Sequence, residues 1–110
     1  MALEHANQGA RHTVQRITWT RDDAIAQNLT GATLTGTIWP DPDIAPGASR
    51  AIDGTLVLVT AASGIFDWTY GAIDIRDSGH FKVQFKATYA DLSYDLSDPE
   101  TWEVVRANGN

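Results

Sequence analysis

A chain of 110 residues, 43% of them hydrophobic, is long enough for one domain with one core. The absence of cysteine excludes disulfides, zinc–thiolate sites and thiol nucleophiles, and suits a protein made in a reducing cytoplasm. A formal net charge of −6 lacks the basic face of a nucleic-acid binder, and no apolar run approaches the ~18–20 residues of a membrane-spanning helix.

Met1–His12 has neither the apolar centre nor the cleavage site of a signal peptide. It is expected to be a flexible arm, or a segment that orders only on a neighbouring subunit. "HTVQRITWT" (His12–Thr20) is the first candidate strand; Val14 is out of phase with Ile17 and Trp19, which predicts a bulge. A polar turn follows, and then "LTGATLTGTIW" (Leu29–Trp39), a threonine-rich strand with Leu34 and Ile38 on one face. It stops at Pro40, which cannot donate to a ladder, and Gly31 and Gly36 mark a bend or a close approach. "PDPDIAPGASRAIDG" reads as a loop; its Asp41 and Asp43 lack the further ligands of a calcium loop.

"TLVLVT" (Thr55–Thr60) is a short apolar run, predicted to be a strand buried on both faces. "AASG" turns the chain, and Ile65–Tyr70 returns with Phe66, Trp68 and Tyr70 on one face. After a crossing loop, "DSGHFKVQFKATY" (Asp77–Tyr89) alternates without a slip. Phe81, Val83, Phe85, Ala87 and Tyr89 lie on one side, and His80, Lys82, Gln84, Lys86 and Thr88 on the other. "ADLS" is a hairpin turn, "YDLS" a short strand broken at Asp98-Pro99, and "TWEVV" (Thr101–Val105) the last strand; residues 107–110 fray. About seven short strands separated by turns describe an all-β, immunoglobulin-like antiparallel sandwich over 13–106, with no disulfide. The four tryptophans, Trp19, Trp39, Trp68 and Trp102, each fall in a β-like run and are expected in its core.

Catalysis requires an acid, base or nucleophile with an activating neighbour. His5 and His12 lie in the arm and His80 on a polar strand face, without metal-ligand spacing. Serines 49, 63, 78, 93 and 97 stand in turn-like settings with no nucleophile elbow around them. Asp91, Asp95, Asp98, Glu100 and Glu103 form an acidic run with no basic residue among them, read as a solvated edge that discourages aggregation. Two of these carboxylates converging in a concave pocket would instead point to a hydrolase. No catalytic, cofactor-binding or metal-ligating residue is assigned.

The order of "LTGA", a proline- and glycine-bearing loop, "ASGIFDWTY", "DSGHFKVQFKATYAD" and a final strand resembles the N-terminal immunoglobulin-like domain of phage baseplate upper proteins. Related domains occur in other phage and prophage tail proteins, and the resemblance runs from about Thr13 to Val105. It implies a non-enzymatic module that attaches one tail or baseplate component to another, made in the bacterial cytoplasm and ending up in the virion tail. Its implied partners are other tail subunits or copies of itself, with no cofactor, nucleic acid or membrane. Family members carry that domain ahead of receptor-binding or connecting parts, which are missing here, lie on another chain, or were never present. They often have Asp-Gly in the last hairpin; Asp91-Leu92 stands here, so a type I or longer turn is expected in place of type I′. A different class of function, a carbohydrate- or receptor-binding sandwich, would require exposed aromatics forming a platform.

Overall fold

Strict alternation on two strands builds the centre of this molecule, a computed structural model that describes residues 3–9, 13–20, 25–40, 49–76 and 78–106. The strands are β1 (Ala6–Asn7), β2 (Val14–Thr18), β3 (Thr33–Pro40), β4 (Arg50–Ala51), β5 (Thr55–Thr60), β6 (Ile65–Thr69), β7 (Gly79–Thr88), β8 (Tyr94–Leu96) and β9 (Glu100–Val105). One sheet has the order β1-β9-β7-β3-β4, with β8 also on β7; the other has the order β2-β6-β5. The predicted all-β sandwich is present. It has nine strands among the described residues where about seven were expected; the two additional ones, β1 and β4, are pieces of two residues each, whereas the short β8 falls in the expected "YDLS".

Between the sheets, Phe66 and Trp68 of β6 and Tyr70 just after it turn inward to meet Phe85 and Phe81 of β7 and Trp102 of β9. Phe66 meets Phe85 edge-on at 5.1 Å, Trp68 meets Tyr70 edge-on at 4.9 Å, and Trp68 and Trp102 are tilted at 4.7 Å. Such geometries add to the burial of large apolar surfaces. Val83 and Ala87 fill the remainder of the β7 inner face, as their phase predicts. Trp19, Trp68 and Trp102 are buried as expected, but Trp39 is only half-buried. At Gly36, between Leu34 and Ile38, an added Cβ would collide with Ile52 Cδ1, which confirms the close approach expected there.

Four sequence expectations change. First, β2 has no bulge: its pairing with β6 runs unbroken from Val14↔Thr69 to Thr18↔Ile65. Gln15, Ile17 and Trp19 all point inward and Val14 is exposed, so a buried glutamine conceals the true phase. Second, the bulge lies in β5, between Leu58 and Thr60. Third, β5 is not buried on both faces; Val57 is 57% and Val59 43% exposed. Fourth, the arm contributes to the sheet. Ala6 and Asn7 pair in parallel with Val104 and Val105, the one parallel pairing in the fold as described.

Gln15 explains the last point. Its side-chain amide accepts from the Glu4 N–H at 2.7 Å and donates to the Glu4 carbonyl at 3.2 Å and to the Tyr70 hydroxyl at 2.6 Å. A buried amide with such partners avoids the desolvation penalty of an unmet polar group, and it pins the incoming chain as a strand would. Past β1, the Gly9 N–H donates to the Ile75 carbonyl at 3.0 Å.

The turn Ala61–Ser63 is a short 3₁₀ segment ending at Gly64, with φ 72°. A Cβ there would stand 2.6 Å from the Trp19 carbonyl oxygen and 2.8 Å from that of Gln27. Glycine is required on both counts. The hairpin β7–β8 closes with Leu92 N–H donating to the Tyr89 carbonyl at 2.9 Å and Tyr89 N–H donating to that of Ser93 at 2.8 Å. Neither Ala90 nor Asp91 has positive φ, so the turn is not type I′, in line with expectation; Leu92 itself nonetheless sits at φ 70°. Met1–Ala2, the His12 position, Asp41 and Asp43, Asp77 at the β7 entry and residues 107–110 lie outside the described residues.

Candidate functional site

The histidines and acids read from the sequence are spread over the surface. His5 is exposed, and His80 Nε2 stands 3.9 Å from Glu103 Oε2 across β7 and β9, an ion pair only when the histidine is protonated. Asp91 Oδ1 accepts from the Ser93 N–H at 3.0 Å and its hydroxyl at 2.6 Å. These bonds hold the Asp91 carboxyl below the usual carboxylate range. Among the described residues, no group of three or more His, Asp or Glu side chains is placed to hold a metal ion.

Two members of the acidic run do share a concavity. Asp95 and Asp98, with Leu96, Ser97, Trp19 and Gln27, line a depression of about 290 Å³ at one end of the sandwich. The segment after β2 forms its far wall: Gln27 N–H donates to the Trp19 carbonyl at 2.9 Å. The Gln27 side chain reaches across to Asp95 Oδ2 at 2.8 Å and the Tyr89 hydroxyl at 3.0 Å, and Tyr89 donates to the Asn28 carbonyl at 2.9 Å. Two acids thus share a depression, the arrangement named above for a hydrolase, but both are in exposed positions and Asp95 is engaged by Gln27, so the desolvated acid of such a pair is not supplied. Trp19 is buried beneath them and offers no stacking face. Ser97 is not a turn residue awaiting a role. Its hydroxyl accepts the Phe85 N–H at 2.9 Å while its own N–H donates to the Phe85 carbonyl, carrying the β7 ladder across the gap between β8 and β9.

The crossing loop holds a fully buried carboxyl group, that of Asp74. A buried charged group in an unassigned structure is a candidate for function until its partners are counted. Asp74 accepts from Asp53 N–H at 2.8 Å, Gly54 N–H at 2.9 Å, Gly71 N–H at 2.9 Å and the Trp68 indole N–H at 3.3 Å. Side chains at Gly54 or Gly71 would collide with the opposing backbone or with Asp53, so the loops meet only because both are glycine. Asp74 is thus committed inside the fold, tying the β4–β5 connection to the segment after β6. No sequence signal distinguishes it from the exposed aspartates, because its donors come from two distant loops.

The surfaces left open are apolar strands. β5 pairs only with β6, leaving its other edge unmatched among the described residues. Its outward face carries Val57 and Val59, and Leu34, Ile52 and Leu56 line a shallow cleft beside it of about 240 Å³. On the opposite sheet, Leu92 at the hairpin tip is 82% exposed, and Tyr94 and Leu96 of β8 are also exposed. Lys86 Nζ lies 4.5 Å from the centre of the Tyr94 ring. No family model matches the chain, and no curated protein is significantly similar to it in sequence.

Proposed function

We propose that this chain is a non-enzymatic assembly module that works by protein–protein docking, in the role of a phage or prophage tail or baseplate component. The observation that supports this reading is the open β5 edge: an apolar strand paired on one side only among the described residues, and free of the charges and prolines that normally guard such edges. The buried polar groups among the described residues, Gln15, Asp74 and Ser97, all serve internal bonds and hold the scaffold. The order of the sequence motifs supports the tail assignment. Particles purified after prophage induction should contain the chain in fixed ratio to known tail proteins by mass spectrometry. Its absence from intact particles, together with a gene neighbourhood free of tail genes, would contradict the assignment.

A second reading has one observation in its favour. The depression lined by Gln27, Asp95 and Asp98 offers hydroxyl-binding groups to a sugar, although without the aromatic platform such sites use. In a screen of simple hexoses by NMR, shifts confined to Gln27, Asp95 and Asp98 would favour this reading, and unperturbed spectra would remove it.

A further inference from the structure

The three-stranded sheet ends on one side at β5, where Thr55–Thr60 has neither a charged residue nor a strand neighbour beyond β6 among the described residues. We infer that this edge is the docking surface for a second copy of the same chain, the two β5 strands pairing antiparallel about a two-fold axis. The inference rests on the docking function proposed above and names its first partner.

Electrostatics select this edge. The chain carries a net charge of −6, so two copies repel wherever their carboxylates approach. The acidic run from Asp91 to Glu103 belongs to the other sheet, on the β7–β8 turn, β8 and β9. On the outward face of β2, β6 and β5 the charged groups are Arg16 and Asp67, directly opposite each other across β2 and β6. They are joined by two bonds of 2.9 and 3.1 Å and cancel. Among the described residues, β5 therefore presents no uncompensated charge of its own to a like-charged copy, the nearest being Asp53, two residues ahead of Thr55.

The strand sequence fits itself. A continuous sheet requires outward residues to face outward residues, so a two-fold axis through Val57 sets Val57 against the partner's Val57. Leu56 then faces the partner's Leu58, and Thr55 the partner's Val59. The exposed valines of both copies form one apolar strip, and backbone groups without a strand partner among the described residues gain one. The bulge between Leu58 and Thr60 ends the regular run there and keeps the paired segment short. One short strand pair with flanking valines falls below the ~1,200 Å² total of a standard interface, so the association is weak, in the micromolar to millimolar range.

Sedimentation equilibrium across that concentration range tests the pairing, with the wild type beside Val57→Lys and Thr55→Lys. Both substitutions fall at exposed positions, and circular dichroism checks that the sandwich persists. The expected result is a wild-type monomer–dimer equilibrium that Val57→Lys weakens about ten-fold or more, since like charges then face each other across the axis, and that Thr55→Lys weakens as well, since it sets a charge against the partner's Val59. A wild-type monomer at millimolar concentration overturns the inference, as does a dimer that both folded variants leave unchanged. If a variant fails to fold, crosslinking of Val57→Cys in the otherwise cysteine-free chain decides: rapid symmetric disulfide formation supports the axis, and none overturns it. The particle test above is independent, so failure here would leave docking to a different protein standing, whereas failure there would remove the tail role itself.

Discussion

Three single residues carry local demands that substitution can measure. Leu92 holds φ 70° at the hairpin tip, a conformation that costs a side chain about 1–2 kcal/mol and glycine almost nothing. Leu92→Gly should therefore raise stability by about 0.5–1 kcal/mol after the greater entropy of unfolded glycine is deducted, seen as a melting temperature a few degrees higher. The opposite holds at Gly64, where positive φ and the carbonyls of Trp19 and Gln27 leave no room for a methyl group. Gly64→Ala should cost about 2 kcal/mol or more in denaturant unfolding. At Tyr70, burial pushes the phenol pKa up, against the opposing pull of the Gln15 hydrogen bond. Between the ordinary phenol value and the raised one, the unfolded chain loses its proton while the folded chain keeps it. Stability therefore falls as pH rises through that alkaline window. Tyr70→Phe should flatten this alkaline loss in a series of pH-dependent melts; an unchanged slope would place its cause elsewhere.

At the scale of elements, the Gln15 amide holds the chain that enters β1, beside the pairing of β1 with β9. Replacing Gln15 by Leu keeps the bulk but removes the bonds to Glu4 and Tyr70. Amide exchange at Ala6 and Asn7 should then accelerate far more than in β6 or β7, whose ladders do not involve the amide. The same residue explains what the sequence could and could not reveal. Alternation in β6 and β7 was legible because every inward position there is apolar, so period two survives in the letters. In β2 an inward glutamine breaks the pattern although the backbone does not bend, and the misplaced bulge followed from that. "TLVLVT" defines a strand but not its neighbours: pairing on one side or two depends on distant segments. Asp74 was hidden for a related reason, since its donors come from both the β4–β5 connection and the segment after β6. Among the candidate surfaces, the acidic run was visible as composition, but the convergence of Asp95 and Asp98 on one depression required the β8 hairpin to be in place.

At the scale of the whole molecule, the aromatic cluster between the sheets holds the open edges in position. Phe85 contacts Phe66 and Trp68 across the sandwich, at 5.1 and 6.0 Å between ring centres. Phe85→Ala should lower stability by about 3–5 kcal/mol, the cost of a cavity at a fully buried ring. With the scaffold intact, the proposed docking belongs to β5, and hydrogen exchange compared between dilute and concentrated samples examines that edge directly. The prediction is slowed exchange, at high concentration, of those Thr55–Val59 amides that point away from β6, with Val14–Thr18 and Tyr94–Leu96 unaffected. Exchange in β5 that is independent of concentration, or slowing that appears only at β2 or β8, would contradict it.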